Sequence, residues 1–185
     1  MVGLLGGAFD PPHNGHVAVA EAALAQLGLE QLDVLVVADP GHKRVDAPAE
    51  ARLLLAKAAF AGLPVSVELD HHARTVDLLR DGRWSDPLFL VGADEFCDFL
   101  SWKEPDRVLE LARLGVATRP GYPRERLESV LHRLSRPGRV LFFEIPPVPA
   151  SSTEIRRRAV EGEPLEDLVP RSVAELVGEL GLYHR

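Results

Sequence analysis

Short apolar runs of β type alternate along this chain with stretches in which apolar side chains recur every three or four residues. Residues 2–5, 33–38, 65–69, 87–92, 115–118 and 140–145 read as six strands. Longer periodic stretches at 14–27, 105–113, 124–134, 152–161 and 171–180 read as helices, and residues 75–80 as a short one closed by the turn Asp81-Gly82. Asp46, Pro48 and Glu50 mark the opening of another helix that runs to about residue 61, because Asp caps and Pro suits a first turn. The alternation of strand and helix predicts an α/β protein: a parallel sheet with helices on both faces. The Pro-rich link 146–149 hands over to two C-terminal helices. With no repeat, low-complexity tract or linker in sight, residues 1–185 are expected to form a single domain.

Composition narrows the picture. Of the 185 residues, 46% are hydrophobic, enough for one substantial core. No apolar run approaches the roughly 20 residues that cross a bilayer, so no membrane association is expected. Met1, Val2 and Gly3 lead straight into a glycine turn, without the profile of a signal peptide, which predicts a cytoplasmic protein. A net charge of -7 lacks the broad positive field that sequence-independent nucleic-acid binding needs, so small ligands are the expected partners. Cys97 is the single cysteine, which excludes an internal disulfide and a thiolate zinc cluster.

The most informative stretch is GGAFDPPHNGH at residues 6–16, set where the first strand meets the first helix. Ligands of open α/β sheets collect at this edge. Gly6 and Gly7 lack β-carbons and let a nucleotide approach the main chain, while Pro11 and Pro12 stiffen the loop. His13 and His16 are three residues apart across the first helical turn, so both can face one ligand beside free backbone N–H groups, an arrangement suited to a polyphosphate. The segment is neither GxGxxG nor GxxxxGK[ST], which removes support from dinucleotide-dependent hydride transfer and from P-loop hydrolysis.

With GHK at 41–43, TVD at 75–77, VGAD at 91–94, Trp102, RPG at 119–121 and SSTEIR at 151–156, the chain resembles the nicotinate mononucleotide adenylyltransferases of the HxGH nucleotidylyltransferase superfamily. These segments span nearly the whole chain in the family's order. The resemblance implies a Rossmann-like sheet of nucleotidylyltransferase type. It implies that His13, His16, Lys43 and Arg156 are catalytic, holding the phosphates of ATP and stabilising the transition state. It places ATP on Gly6, Gly7, Ala8, Phe9, Gly92, Asp94, Ser151, Ser152 and Thr153, with the helices from about residue 152 completing that site. It places the acceptor, nicotinate mononucleotide, against Thr75, Asp77, Trp102 and Arg119, the indole stacking on the pyridine ring. Ser151 and Glu154 also have the spacing of a capping box, and Asp94 that of an N-cap. Ala8, Gly41, Arg74 and Leu78 depart from the family pattern, the last two beside the acceptor segment.

The reaction implied is in-line attack of the acceptor phosphate on the α-phosphorus of ATP, with Mg2+ bound mainly through the ATP phosphates and no protein metal site. Phosphopantetheine is the alternative acceptor, and a non-catalytic nucleotide-binding domain the alternative of a different class. A metal cluster among His13, His16, His42, His71 and His72 is a third reading, weakened because His71 and His72 would point to opposite faces of an extended strand. A homo-oligomer is left open.

Overall fold

A computed structural model describes residues 1–41 and 44–183. Its six strands, β1 (Val2–Gly7), β2 (Gln31–Val37), β3 (Val65–Asp70), β4 (Leu88–Gly92), β5 (Arg113–Thr118) and β6 (Val140–Glu144), pair in parallel in the order β3-β2-β1-β4-β5-β6. The helices are α1 (Asn14–Gln26), α2 (Ala49–Ala59), α3 (Thr75–Arg80), α4 (Ala93–Cys97), α5 (Pro105–Leu111), α6 (Arg124–Leu131), α7 (Ser152–Glu161) and α8 (Arg171–Glu179).

Side chains alternate across each strand, so the sheet builds two cores. Leu5, Val34 and Val36 face one side and pack with Ala20 and Ala23 of α1, Leu55 and Ala59 of α2, Ile155 of α7 and Val173 of α8. Leu4, Leu35, Val91 and Val116 face the other and pack with Val76 of α3, Phe96 of α4, Leu109 of α5 and Leu127 of α6. Strands covered on both faces carry few polar residues, which is why they were legible as apolar runs.

The differences from the sequence-based expectation are local. β2 starts at Gln31 and β5 at Arg113, each earlier than expected, because the ladder continues past the apolar run: Gln31 pairs with Val2 and Arg113 with Leu88. Arg113 tolerates the position by reaching Asp86 at 2.8 Å. α4 was not expected; five residues are too few to show a helical period. The consequence for function is the reversal of strand order between β1 and β4, which opens a crevice at their C-terminal ends.

Candidate active site

The loop leaving β1 falls in that crevice and is held from several directions. A β-carbon on Gly7 would lie 3.0 Å from the Phe9 ring and one on Gly6 3.2 Å from Phe89, both closer than ordinary contact, so either ring would have to give way. The glycines therefore serve ring packing as well as ligand access. Ser152 of α7 donates its hydroxyl to the Pro11 carbonyl at 2.9 Å, and Arg156 donates to the Asp10 carbonyl at 2.7 Å.

Arg52 is the least expected part of the scaffold. It is 1% exposed and spends its guanidinium on main-chain carbonyls: Ala8 and Val37 at 2.7 Å, Ala38 at 2.7 Å and Ala47 at 3.1 Å. One buried cation thus ties the ends of β1 and β2 to the start of α2. Its sequence signal is an arginine on the helix face shared with Leu55, Ala56 and Ala59, a face otherwise apolar.

His13 and His16 converge at the start of α1. Their rings stack with centroids 3.7 Å apart and planes at 29°. His16 Nδ1 accepts the main-chain N–H of His13 at 3.1 Å, so in the neutral ring the proton resides on Nε2 as a donor. Gly15 between them suits the same stack, since a β-carbon there would lie 3.0 Å from the His13 ring and press it out of place. Burial pushes the His13 pKa down to about 4, and its Nδ1 is buried without a hydrogen-bond partner. An anion beside the ring would raise that pKa again. The backbone amides beside them are less open than expected: Asn14 N–H donates to Leu168 at 2.9 Å and His16 N–H to the His13 carbonyl at 2.8 Å. Donors toward a ligand therefore come from side chains more than from that turn.

A cavity of about 530 Å3 lies at the end of β1, lined by Gly6, Gly7, Ala8, Thr75, Trp102 and Lys103 among others; His13 and His16 are not among its lining residues. Trp102 forms part of its wall, held edge-on by Phe99 at 5.3 Å and Phe89 at 6.1 Å. Asp77 is not among its lining residues; its carboxylate is taken by Lys103 Nζ, 3.0 Å from both oxygens, and by Arg80 at 3.4 Å, and the Lys103 hydrogen bond holds its pKa low. His72, also on the wall, sits between Asp70 at 2.7 Å and Asp81 at 3.0 Å, and the Asp70 hydrogen bond raises its pKa. β3 ends at Asp70, so the alternation argument for His71 and His72 does not apply. Among the described residues no group of three or more His, Cys, Asp or Glu side chains could hold a metal ion.

Arg119 is not brought to this cavity. With Tyr122, Arg124 and Phe142 it lines a second one, of about 620 Å3. Asp94 lies on that side, in the first turn of α4 after Gly92, which takes the N-cap position. Its carboxylate accepts the Tyr122 hydroxyl at 2.9 Å, with Arg126 at 3.7 Å and Arg119 at 4.0 Å. Arg119 and Asp94 therefore belong together, apart from Trp102 and Thr75.

The SSTEIR segment is likewise placed with the loop rather than as an open clamp. Ser151 caps α7 by accepting the Glu154 N–H at 3.2 Å, while the Glu154 carboxylate turns to Arg157 and Arg158. Thr153 is exposed in the first turn. Arg156 Nε is 2.9 Å from Asp46, on the loop before α2. His42 and Lys43, earlier on that loop, lie outside the described residues.

A parallel sheet whose switch point carries two stacked histidines on a glycine loop defines a cytidylyltransferase-like protein, and the profile of that family matches residues 4–158. Two relatives bear the name probable nicotinate-nucleotide adenylyltransferase. That of Rubrobacter xylanophilus is 40% identical over 98% of this chain and 91% of its own length, and that of Thermus thermophilus is 42% identical over 98% of both. The chain belongs to the nicotinate-nucleotide adenylyltransferase family. A solved structure of Plasmodium falciparum nicotinic acid mononucleotide adenylyltransferase complexed with NaAD shares the fold, with a TM-score of 0.76 at 17% identity over 98% of this chain and 96% of that one.

Proposed function

We propose that the protein transfers AMP from ATP to nicotinate mononucleotide, giving nicotinate adenine dinucleotide and pyrophosphate. The observation that carries this reading is the His13–His16 stack at the head of α1, on the same β1–α1 connection whose first residues, Gly6, Gly7 and Ala8, line a cavity walled by an indole. The relatives' names support the choice of acceptor.

In this reading an oxygen of the acceptor phosphate attacks the α-phosphorus in line, a new P–O bond forms, and the bond to the bridging oxygen breaks to release pyrophosphate. Such a transfer asks the protein for positioning and charge neutralisation rather than a nucleophile. His16 Nε2–H donates to a phosphate oxygen, and His13 accepts a proton more readily once an anion replaces its apolar surroundings. Lys43 and Arg156 add positive charge at the triphosphate, with Ser151, Ser152 and Thr153 at the head of α7. Arg156 is already turned toward the loop, where Asp46 is its present anion.

Thr75 and Trp102 take the nicotinate side. Asp77 acts there by holding Lys103 on the cavity wall. The adenosine side is Gly92 with Asp94, and the 4.0 Å approach of Arg119 to Asp94 supports a role for that arginine on the adenosine half rather than beside the acceptor. Mg2+, held by phosphate oxygens and water, would neutralise charge on the triphosphate. No helix among the described residues is long and apolar enough to cross a membrane, which suits work on soluble nucleotides in the cytoplasm.

The test is pyrophosphate release from ATP and Mg2+ with a panel of acceptors. Nicotinate mononucleotide is expected to be used, and phosphopantetheine to give no release, since an indole on the cavity wall suits a flat heteroaromatic ring. Release with phosphopantetheine alone would move the protein to the other adenylyltransferase class. ATP binding with no release from any acceptor would make it a nucleotide-binding domain.

A further inference from the structure

Asp10 sits inside the glycine loop, and the reaction as described gives it nothing to do. It is 3% exposed, and a carboxylate is costly to bury unless its oxygens are satisfied. Oδ2 accepts the Asp46 N–H at 2.7 Å, and Oδ1 accepts the Ala47 N–H at 3.0 Å and the Tyr183 hydroxyl at 2.8 Å. The Asp10 carbonyl takes Arg156 at 2.7 Å, whose Nη1 also stands 3.9 Å from Oδ2. Arg156 is bound in turn to the Asp46 side chain at 2.9 Å. Three segments remote in sequence therefore meet at one residue: the loop leading into α2, the guanidinium of α7 and the far C-terminal tyrosine. Burial raises the Tyr183 pKa further above its ordinary value, so the phenol remains a donor.

We infer that Asp10 is a positioning residue for the ATP half of the site, setting the loop before α2 and Arg156 at a fixed distance from His13 and His16, with Tyr183 locking it. The inference rests on the ATP reading given above. Its reach is one-sided. The side-chain partners of Asp10 and Asp46 are on the loop, on α7 and at the C-terminus, whereas Thr75 and Trp102 line the cavity, whose lining includes none of Asp10, Asp46, Arg156 or Tyr183. Changes at the junction should therefore reach ATP and leave the acceptor alone.

Steady-state kinetics of Asp10→Asn and Tyr183→Phe, with both KM values and melting temperatures, tests this. Asn places an amide N–H2 against main-chain N–H donors, and Phe removes the phenolic donor while keeping the ring. The expected result is a KM for ATP raised about tenfold or more in Asp10→Asn and less in Tyr183→Phe, with the acceptor KM within about twofold. Equal changes in both KM values, or unchanged KM values beside a lowered melting temperature, would overturn the inference. If Asp10→Asn does not fold, Tyr183→Phe decides it on the same criteria. If the wild-type protein does not turn over nicotinate mononucleotide, the functional reading fails by itself. Calorimetric ATP affinity of Tyr183→Phe against wild type then judges the junction, and equal affinities would overturn it.

Discussion

Two histidines of this chain are driven in opposite directions by their surroundings. His13 loses water on burial and is pushed down to about 4, while His72 gains the Asp70 carboxylate and is pushed above its ordinary 6.5. The signs follow from linkage. His13 is neutral in the folded protein where the unfolded chain would be protonated, so stability falls as pH drops from 6.5 toward 4. His72 contributes stability fully below 6.5 and loses it as pH rises through its raised folded value. A histidine-resolved NMR titration of the free protein should show these two groups on opposite sides of 6.5. Adding ATP should raise the His13 midpoint, because a nearby anion favours imidazolium. An unmoved His13 midpoint at saturating ATP would remove it from the phosphate site. The HxGH spacing is local and marks His13 in the sequence, but it does not reach His72. The sequence does not show that Asn14 spends its amide within the fold, because its acceptor, Leu168, comes from more than a hundred residues away.

At the scale of elements, the parallel sheet and its flanking helices were readable because strands covered on both faces are apolar throughout, and because each long helix carries its own period. What stayed hidden was either short or non-local. α4 is five residues, and the pairing of Arg119 with Asp94 joins the ends of β4 and β5, a neighbourhood that exists only once the sheet is assembled. Arg52 belongs to the second kind. Its place on an apolar helix face was visible, but its carbonyl partners lie on three other segments. Replacing it by Met should leave those carbonyls without a donor in a buried site and destabilise the fold by roughly 3 kcal/mol or more. Denaturant unfolding measures this. A loss below about 0.5 kcal/mol, the range of neutral surface changes, would show that the carbonyls find other donors.

For the whole molecule, the site is divided by the strand order. The loop before α2, α7 and the C-terminus bond to the loop at residues 10–11, while α3 and the turn holding Trp102 line the cavity beyond Gly6 and Gly7. That division puts Arg119 beside Asp94, because β5 lies next to β4, a neighbourhood that motifs read residue by residue do not contain. It also explains why the C-terminal third of the chain is needed at the first turn: Ser152, Arg156 and Tyr183 all bond to the loop at residues 10–11. The most direct test of the account is the formation of nicotinate adenine dinucleotide from ATP, Mg2+ and nicotinate mononucleotide by wild-type protein and by His16→Ala under single-turnover conditions. The account predicts product from the wild type and a rate at least about a hundredfold lower in the variant, the usual consequence of losing one well-placed donor to transition-state charge. A variant forming product at close to the wild-type rate would contradict it.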